Sequence, residues 1–293
     1  MPSKRNNPAD LKKKKLLDGL YRKYNRREFV PPDPLCFVYR FSRPADIEIA
    51  AFFASALAYG RVGHIAKSLT TLFERTGPHP ADFAFLPCRR RRGVLSDFKH
   101  RFNTGADIAD LMGLFADVIK RYGSVERFFL SGYSPDDDDV LSAIDSFSRR
   151  LLELYRKRYG KQPGRGVRFL LSKPCDGGAC KRLNLFLRWL VRRDEVDLGL
   201  WKGISPAKLI VPVDVHMARL AAFLGFHSRS AADLKTAVQI TAAFKEICPD
   251  DPARYDFALT RIGILEGCSG KLRPACRGCP VLSFCKDRDK REF

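Results

Sequence analysis

The sequence lacks the long apolar run of a membrane-spanning helix, since no stretch approaches about eighteen consecutive apolar residues. Its N-terminal segment, MPSKRNNPADLKKKKLLDGLYRKYNRREF, is basic and lacks the apolar core and small-residue cleavage site of a secretion signal. We therefore expect a cytoplasmic protein with no membrane partner. In that compartment cysteines stay reduced, so that a tight cysteine cluster indicates metal ligation rather than disulfides.

The sequence also lacks sustained two-residue alternation, a strand–helix rhythm and any repeat of about thirty residues. These absences predict an all-α fold in which many helices contribute to one buried core. The predicted helices lie within residues 1–28, 46–77, 107–132 (two helices, separated at Gly123), 134–160, 179–193, 214–225, 230–247 and 252–266.

The connections between these helices are long and rich in proline. The segment FVPPDP (29–34) predicts a proline-broken connection, and CRRRRG (88–93) predicts a short cationic loop. We divide the chain into an N-terminal basic helix with its connection (1–45), a helical core (46–265) and a C-terminal cysteine loop (266–293). The N-terminal part is expected to pack with the C-terminal part.

Acidic residues are in the minority, at 33 Asp and Glu against 53 Lys and Arg, which gives a formal net charge of +20. Such an excess attracts polyanions and favours a nucleic-acid partner, DNA or RNA. The alternative is that the proteome as a whole is biased towards basic residues, in which case the charge indicates no partner. We favour nucleic acid, and with it a nucleoid-associated location, because the basic residues occur throughout rather than in one tail.

Four of the nine cysteines fall within the run CSGKLRPACRGCPVLSFC, as Cys268, Cys276, Cys279 and Cys285. Four thiolates so close in sequence can enclose one ion or one small cluster. Zinc ribbons usually pair two C-x2-C knuckles roughly fifteen residues apart, whereas this run has one C-x2-C flanked by longer gaps. We therefore expect a [4Fe-4S] cluster, with zinc as the alternative.

This run is similar to the C-x6-C-x2-C-x5-C cluster loop of the endonuclease III family of DNA glycosylases, with one more residue in the first gap. The resemblance implies a helix-hairpin-helix glycosylase-like core with two helical subdomains, and a [4Fe-4S] cluster on these four cysteines. It also implies that Lys271, Arg273 and Arg277 contact DNA phosphates, which would position the protein without reading sequence. The alternative for these three residues is a role in solubility alone.

The segment VPVDVHMARL (211–220) resembles the VDTH-x-x-R segment of the same superfamily, in which the aspartate is catalytic. The match implies that Asp214 stabilises positive charge at C1′ of the sugar. By its own pattern Asp214 precedes an apolar helical period closed by Gly225, which also fits an ordinary N-cap. A carboxylate at a helix start stays ionised, as the electrostatic role requires.

The segment DGGACKRLNLFLRWLVRR (176–193) takes the place of the family's hairpin LPGVGRKTA, which implies that Lys181 is a Schiff-base nucleophile. A helix start disfavours an ammonium and so favours the free amine that a nucleophile needs. Gly177 and Gly178 form the expected phosphate-binding turn, together with Arg182. The family's second glycine is replaced by Ala179, so that the hairpin is degenerate.

Three further resemblances concern the whole chain, the insertion before Asp214 and the base-flipping helix. Over nearly its full length the chain resembles the DUF2400 family, and the insertion before Asp214 is similar to the archaeal 8-oxoguanine glycosylase branch. The segment FFASALAYGRV stands where the superfamily has LLSAQ, whose glutamine inserts at the flipped base. Leu57 occupies that position, so that Tyr59 or Arg61 is expected to replace the glutamine.

Two functions follow from these features. The first is a DNA-repair base-excision glycosylase, with abasic-site lyase activity if Lys181 is the nucleophile. The second is a non-catalytic DNA- or RNA-binding protein on the same scaffold, with a structural metal cluster. The degenerate hairpin and the missing glutamine favour the second, and the combination of Lys181 with Asp214 favours the first. We expect a monomer in either case.

Overall fold

The computed structural model describes residues 8–271 and 274–285 of the chain. Within these ranges the fold is all-α, as the sequence predicts, and a two-stranded hairpin is the only sheet. No helix of the described part is long and apolar enough to cross a membrane. The α-helices are α1 Pro8–Tyr24, α2 Leu35–Val38, α3 Pro44–Ala56, α4 Val62–Thr76, α5 Pro80–Phe85, α6 Cys88–Val94, α7 Gly105–Tyr122, α8 Val125–Leu130, α9 Leu141–Tyr159, α10 Arg165–Leu170, α11 Lys181–Val191, α12 Val215–Phe223, α13 Leu234–Ile247 and α14 Asp256–Ile264.

The centre of the core is the packing of α3 against α11. Every residue of α3 from Ile49 to Ala56 is buried, as expected for a helix that is apolar on all sides. Trp189 of α11 and Trp201 are fully buried. The indole Nε1 of Trp201 donates a hydrogen bond to Glu48 of α3 at 2.9 Å, so that both buried polar groups are satisfied.

The two ends of the chain are joined by the packing of α1 on α14. Tyr24 donates a hydrogen bond to Glu266 at 2.7 Å, and Tyr255 donates one to Asp18 at 2.7 Å. These contacts fix the C-terminal helix, and the cysteine loop that follows it, against the N-terminal helix. The domain boundaries proposed from the sequence stay a prediction.

The helical pattern over 46–77 is interrupted, which the sequence analysis did not predict. The helix ends at Ala56 and α4 begins at Val62. Between them Gly60 adopts a φ of 98°, a left-handed conformation that strongly favours glycine. The interruption brings Tyr59 and Gly60 to the edge of a cavity.

The prediction of a cationic loop over 88–93 is wrong, because these residues lie in α6. Arg91 is buried and donates to the main-chain carbonyls of Ala84 at 3.0 Å and Ala109 at 2.9 Å. Arg92 pairs with Asp110 at 2.8 Å. Two of the four arginines are therefore used inside the fold, since helix formation turns them toward acceptors on neighbouring elements.

The strands β1 Lys99–His100 and β2 Asn103–Thr104 form a hairpin that was also not predicted. Each strand has two residues, too few to produce a readable alternation in the sequence. Its turn is Arg101–Phe102, and Arg101 has a φ of 56°, which is uncommon for a residue other than glycine.

Candidate functional site

A cavity of about 550 Å³ opens where six parts of the chain meet. Its volume falls within the roughly 300–1,000 Å³ that is typical of small-ligand sites. Apolar and ionisable side chains both contribute to its wall. Its ionisable lining residues include Asp33, Lys181, Arg188, Asp214, His216, Asp256 and Arg261, and Tyr59 and Gly60 also line it.

Lys181 and Asp214, which are 33 positions apart in the sequence, meet at this cavity. The Nζ atom of Lys181 lies 3.0 Å from Oδ2 of Asp214. The side chains retain 31% and 24% of their exposure, so that a ligand in the cavity can reach both. The fold therefore brings together the two residues that the sequence singled out for catalysis.

Asp214 uses its two carboxylate oxygens for two different contacts. Oδ1 accepts hydrogen bonds from the main-chain N–H groups of His216 and Met217, each at 2.9 Å, and so caps the N-terminus of α12. Oδ2 faces Lys181. The N-cap and the ion pair are thus compatible roles of one side chain, whereas the sequence analysis treated capping and catalysis as alternatives.

These contacts keep Asp214 ionised. Burial alone would raise its pKa, but the positive charge of Lys181 and the N–H of Met217 outweigh burial and hold the pKa below its ordinary value. The cavity therefore contains a fixed negative charge at neutral pH, next to the ammonium of Lys181.

Lys181 owes its position to the turn that precedes α11. Gly177 adopts a φ of 80° and Cys180 a φ of 47°, and Lys181 is the first helical residue. The carbonyl of Gly177 accepts a hydrogen bond from Leu234 at 3.1 Å, and Gly178 forms an isolated bridge with Asp233, so that the turn is tied to the start of α13. Both glycines are exposed, and their contact with phosphate stays a prediction.

Arg182 holds the start of α11 against two other helices. Its Nη1 donates to the carbonyl of Ala56 at 3.1 Å, and its Nη2 donates to the carbonyl of Phe169. Burial lowers the pKa of Arg182 to about 10. The sequence pattern did not indicate this internal role, and the predicted contact of Arg182 with nucleic acid stays a prediction.

Buried ion pairs lie on the inner side of the cavity. Arg188 of α11 contacts Asp256, and its Nε lies 3.2 Å from Asp197. Arg261 lies 3.3 Å from Asp33. Arg188 and Arg192 are both almost fully buried, although arginine is a mostly exposed residue type. Arg188 pairs with Asp256 and Arg192 with Asp251, which are 68 and 59 residues away, so that helical periodicity cannot reveal these contacts.

His216 and Arg219 connect the cavity to the cysteine loop. The Nδ1 atom of His216 accepts a hydrogen bond from Nη2 of Arg219 at 3.0 Å, and the same Nη2 donates to the carbonyl of Cys268 at 2.7 Å. A Cβ on Gly263 would lie 2.6 Å from this Nδ1. Glycine at 263 thus allows α12 and α14 to approach closely enough for the connection to form.

The cysteine loop gathers its thiols beside a second, smaller cavity. Cys268, Cys276 and Cys279 line this space of about 180 Å³ together with Lys23 and Glu266. Burial raises the pKa of Cys279, and the thiols of Cys268, Cys276 and Cys285 add to the rise. In the described ranges no three His, Cys, Asp or Glu side chains lie close enough together to hold a single metal ion.

The basic residues of this loop are only partly described. Lys271 and Arg277 are exposed. Arg273, which the sequence analysis also assigned to DNA, lies outside the described residues. The exposure of Lys271 and Arg277 is what a phosphate contact requires, and the contact itself stays a prediction.

Comparison with known families gives one match. The model described as "Protein of unknown function (DUF2400)" matches residues 33–265. No curated protein and no solved structure matches the chain. The matched range contains Lys181, Asp214 and the cavity around them, and it ends before the first cysteine of the run, Cys268.

Proposed function

The chain belongs to the DUF2400 family, and we propose that it acts as a DNA glycosylase with abasic-site lyase activity. The observation that carries the proposal is the Lys181–Asp214 pair, 3.0 Å apart and facing a cavity of ligand size. A potential nucleophile and a fixed carboxylate are thus available to the same bound atom. The net charge of +20 supports a polyanionic substrate.

The first step removes the base. A damaged nucleotide enters the cavity, since its sugar cannot be reached inside a duplex. As the bond between C1′ and the base nitrogen breaks, its electron pair leaves with the base, which takes up a proton from Lys181. Positive charge develops on C1′ and O4′ of the sugar, and Oδ2 of Asp214 stabilises it.

The second step is carried by Lys181. Its Nζ, now neutral, forms a bond to C1′. The nitrogen then loses a proton while the bond between C1′ and O4′ opens, and O4′ takes up a proton, which leaves a protonated imine. A proton then passes from C2′ to water, the C2′–H electron pair forms the C2′=C3′ double bond, and the 3′ phosphate leaves with the electron pair of the C3′–O bond, which cleaves the strand.

We include a [4Fe-4S] cluster in the proposal, with zinc as the alternative. This part of the proposal rests on the sequence spacing of the four cysteines, three of which (Cys268, Cys276 and Cys279) line one small cavity. When bound, the group would hold the shape of the loop and add no step to the reaction. Arg219 donates to the carbonyl of Cys268, through which the loop's position would affect His216 at the catalytic cavity. Iron and zinc content of anaerobically purified protein, with its visible spectrum, separates the two metals.

Borohydride trapping tests the lyase activity. The full-length protein is incubated with DNA carrying oxidised, deaminated or abasic sites, and reduction traps any imine as a stable protein–DNA adduct. We expect an adduct with at least one substrate for the wild type and none for Lys181→Ala. Lys157→Ala is the matched control, because it removes the same charge from an exposed lysine that does not line the cavity.

The second candidate, a non-catalytic nucleic-acid-binding protein, is favoured by one aspect of the same geometry. The ion pair between Lys181 and Asp214 also links the start of α11 to the start of α12, which is a structural role. No adduct from the wild type across the whole lesion panel, together with salt-dependent binding that Asp214→Asn leaves unchanged, would support this candidate and contradict the first.

A further inference from the structure

An exposed cluster of aromatic rings and arginines lies beside the cavity, and we call it the hairpin platform. Its rings are Phe102, at the turn of the β1–β2 hairpin, and Phe169 of α10, whose centroids are 4.6 Å apart at an interplanar angle of 78°. Tyr59 lies beneath them, 5.8 Å from Phe102 and 4.9 Å from Phe169. The platform joins three segments that are distant in sequence.

The two phenylalanines are unusual in their exposure. Phe102 is 39% and Phe169 is 36% exposed, although the chain has a large core in which most of its aromatic side chains are buried. A pair that is more than a third exposed contributes less to the stability of the fold than a fully buried pair does. An exposed aromatic ring is suited to stacking on a planar ligand.

Arginines surround these rings. The guanidinium of Arg165 lies 5.3 Å from the centroid of Phe102, and that of Arg182 lies 3.9 Å from the centroid of Phe169. Arg101 lies 5.9 Å from the centroid of Tyr59. Within residues 8–271 and 274–285, neither Arg101 nor Arg165 forms an ion pair with a carboxylate. Their charges are therefore available to an anionic partner.

The base of the hairpin is firmly held while its turn is strained. Tyr59 donates its hydroxyl to Asn103 and to the carbonyl of His100, and both of those residues are buried. Arg101 at the turn has a φ of 56°, a conformation that costs energy for a residue with a Cβ. The fold thus maintains the conformation that presents Phe102 outward.

The hairpin platform borders the rim of the cavity. Tyr59 and Gly60 line the cavity, and a Cβ on Gly60 would lie 3.1 Å from Nη1 of Arg101. Arg182, which covers Phe169, directly follows Lys181 in α11. A strand whose nucleotide occupies the cavity would therefore pass over the platform.

We propose that the hairpin platform stacks on an unpaired base next to the nucleotide that enters the cavity, with Phe102 as the stacking residue and Arg101 and Arg165 on the flanking phosphates. Aromatic side chains stack on any base, and arginines beside them follow the backbone, which is the common mode of single-strand binding. The inference rests on the proposed function. It extends that function because it says which surface of the protein the distorted DNA strand contacts. It also assigns the stacking role to Phe102 rather than to Tyr59 or Arg61.

Fluorescence of 2-aminopurine tests this proposal. The full-length protein is titrated against a duplex with 2-aminopurine next to an abasic analogue that cannot be cleaved, and affinity is read from anisotropy. Stacking on Phe102 quenches the 2-aminopurine signal. We expect Phe102→Ala to lose the quenching and to bind roughly 10-fold to 100-fold more weakly. Phe102→Tyr should restore both, since it keeps an aromatic face.

The matched control is Phe85→Ala, because Phe85 is 52% exposed on α5 and contacts no ring or cation in the described ranges. It should leave affinity and quenching unchanged. Circular dichroism checks that each variant folds. Equal affinity and quenching for Phe102→Ala and wild type would overturn the proposal, as would an equal loss for Phe85→Ala.

The assay also separates this proposal from the catalytic one. If the wild-type protein quenches 2-aminopurine but forms no borohydride adduct, the stacking role of the platform is supported and the lyase activity is contradicted. If an adduct forms that depends on Lys181, while Phe102→Ala binds as the wild type does, the lyase activity is supported and the stacking role is contradicted.

Discussion

Helix α11 carries two sets of ionic contacts that differ in their access to water. At its start Lys181 pairs with Asp214, and the side chains are 31% and 24% exposed. Arg188 near the end of the helix and Arg192, its C-cap residue, both contact Asp197, and none of these side chains is more than 3% exposed. The two sets lie on one rigid helix, so that the difference between them comes from their surroundings.

The comparison shows why only the first set is suited to chemistry. A buried charge that loses its partner is strongly destabilising, so Arg188 and Asp197 cannot exchange partners during a reaction. A partly exposed pair is held weakly, and a ligand can separate it at small cost. The buried set fixes α11 in the core, and the exposed set places a separable charge pair at the cavity.

The largest expected effect comes from removing a carboxylate of the buried set. Asp197→Ala leaves both arginines with one carboxylate fewer in the core, and we expect the free energy of unfolding to fall by about 3–5 kcal/mol. Urea denaturation measures it. The control is Asp97→Ala, whose carboxylate pairs with Arg75 but is 72% exposed, so that its loss should leave the free energy of unfolding nearly unchanged. Similar losses in the two variants would contradict the division between buried and exposed pairs.

A second effect concerns activity rather than stability. Asp214→Asn removes the charge while keeping a good N-cap side chain, so we expect adduct formation to slow by about 10²–10³-fold. The unfolding free energy should change by less than about 1 kcal/mol, because the pair with Lys181 is partly exposed. Single-turnover trapping and urea denaturation give the two values. A loss of stability that matches the loss of activity would mean that the residue is structural.

A smaller effect separates the two oxygens of Asp214. Asp214→Ala removes both the cap and the charge, whereas Asp214→Asn removes only the charge. We therefore expect Asp214→Ala to be less stable than Asp214→Asn by about 0.5–2 kcal/mol. Thermal or urea unfolding of the two variants side by side checks this difference. Equal stabilities would show that Oδ1 contributes nothing as a helix cap.

The smallest effect is a dependence on pH. The pKa of Asp214 is lower in the folded protein than its ordinary value near 3.8, because Lys181 and Met217 outweigh burial. Its contribution to stability is therefore present above that value and is lost as the pH falls through the folded pKa. The stability difference between wild type and Asp214→Asn should be constant near neutral pH and shrink below about pH 4. A stability difference that grows on acidification would show that the pKa of Asp214 is raised, not lowered, in the folded protein.

Much of the fold could be predicted from the sequence, because helix patterns and their ends are local signals. The helix closed by Gly123 and the segments that became α11 to α14 were placed correctly to within a few residues. The misses have local causes of a different kind. The helix over 46–77 breaks at Gly60, and α6 forms from an arginine-rich segment because buried carbonyls accept from Arg91.

The candidate site could be predicted only in part. Lys181 and Asp214 were identified by resemblance to known motifs, and the structure places them 3.0 Å apart. The burial of Arg188 could not be predicted, since its partner Asp256 is 68 residues away in the chain. The hairpin platform could not be predicted either, because Tyr59, Phe102 and Phe169 show no common spacing in the sequence.

The sequence by itself determined the helical class, the excess of positive charge and the residue types available for chemistry, because each depends on composition or on neighbours within a few turns. Only the tertiary structure decided which charges are buried and which face the cavity. It also decided that Asp214 both caps α12 and meets Lys181, and that three of the four clustered cysteines line one small cavity. These outcomes depend on contacts between distant segments, whose burial sets the free energy of every charge.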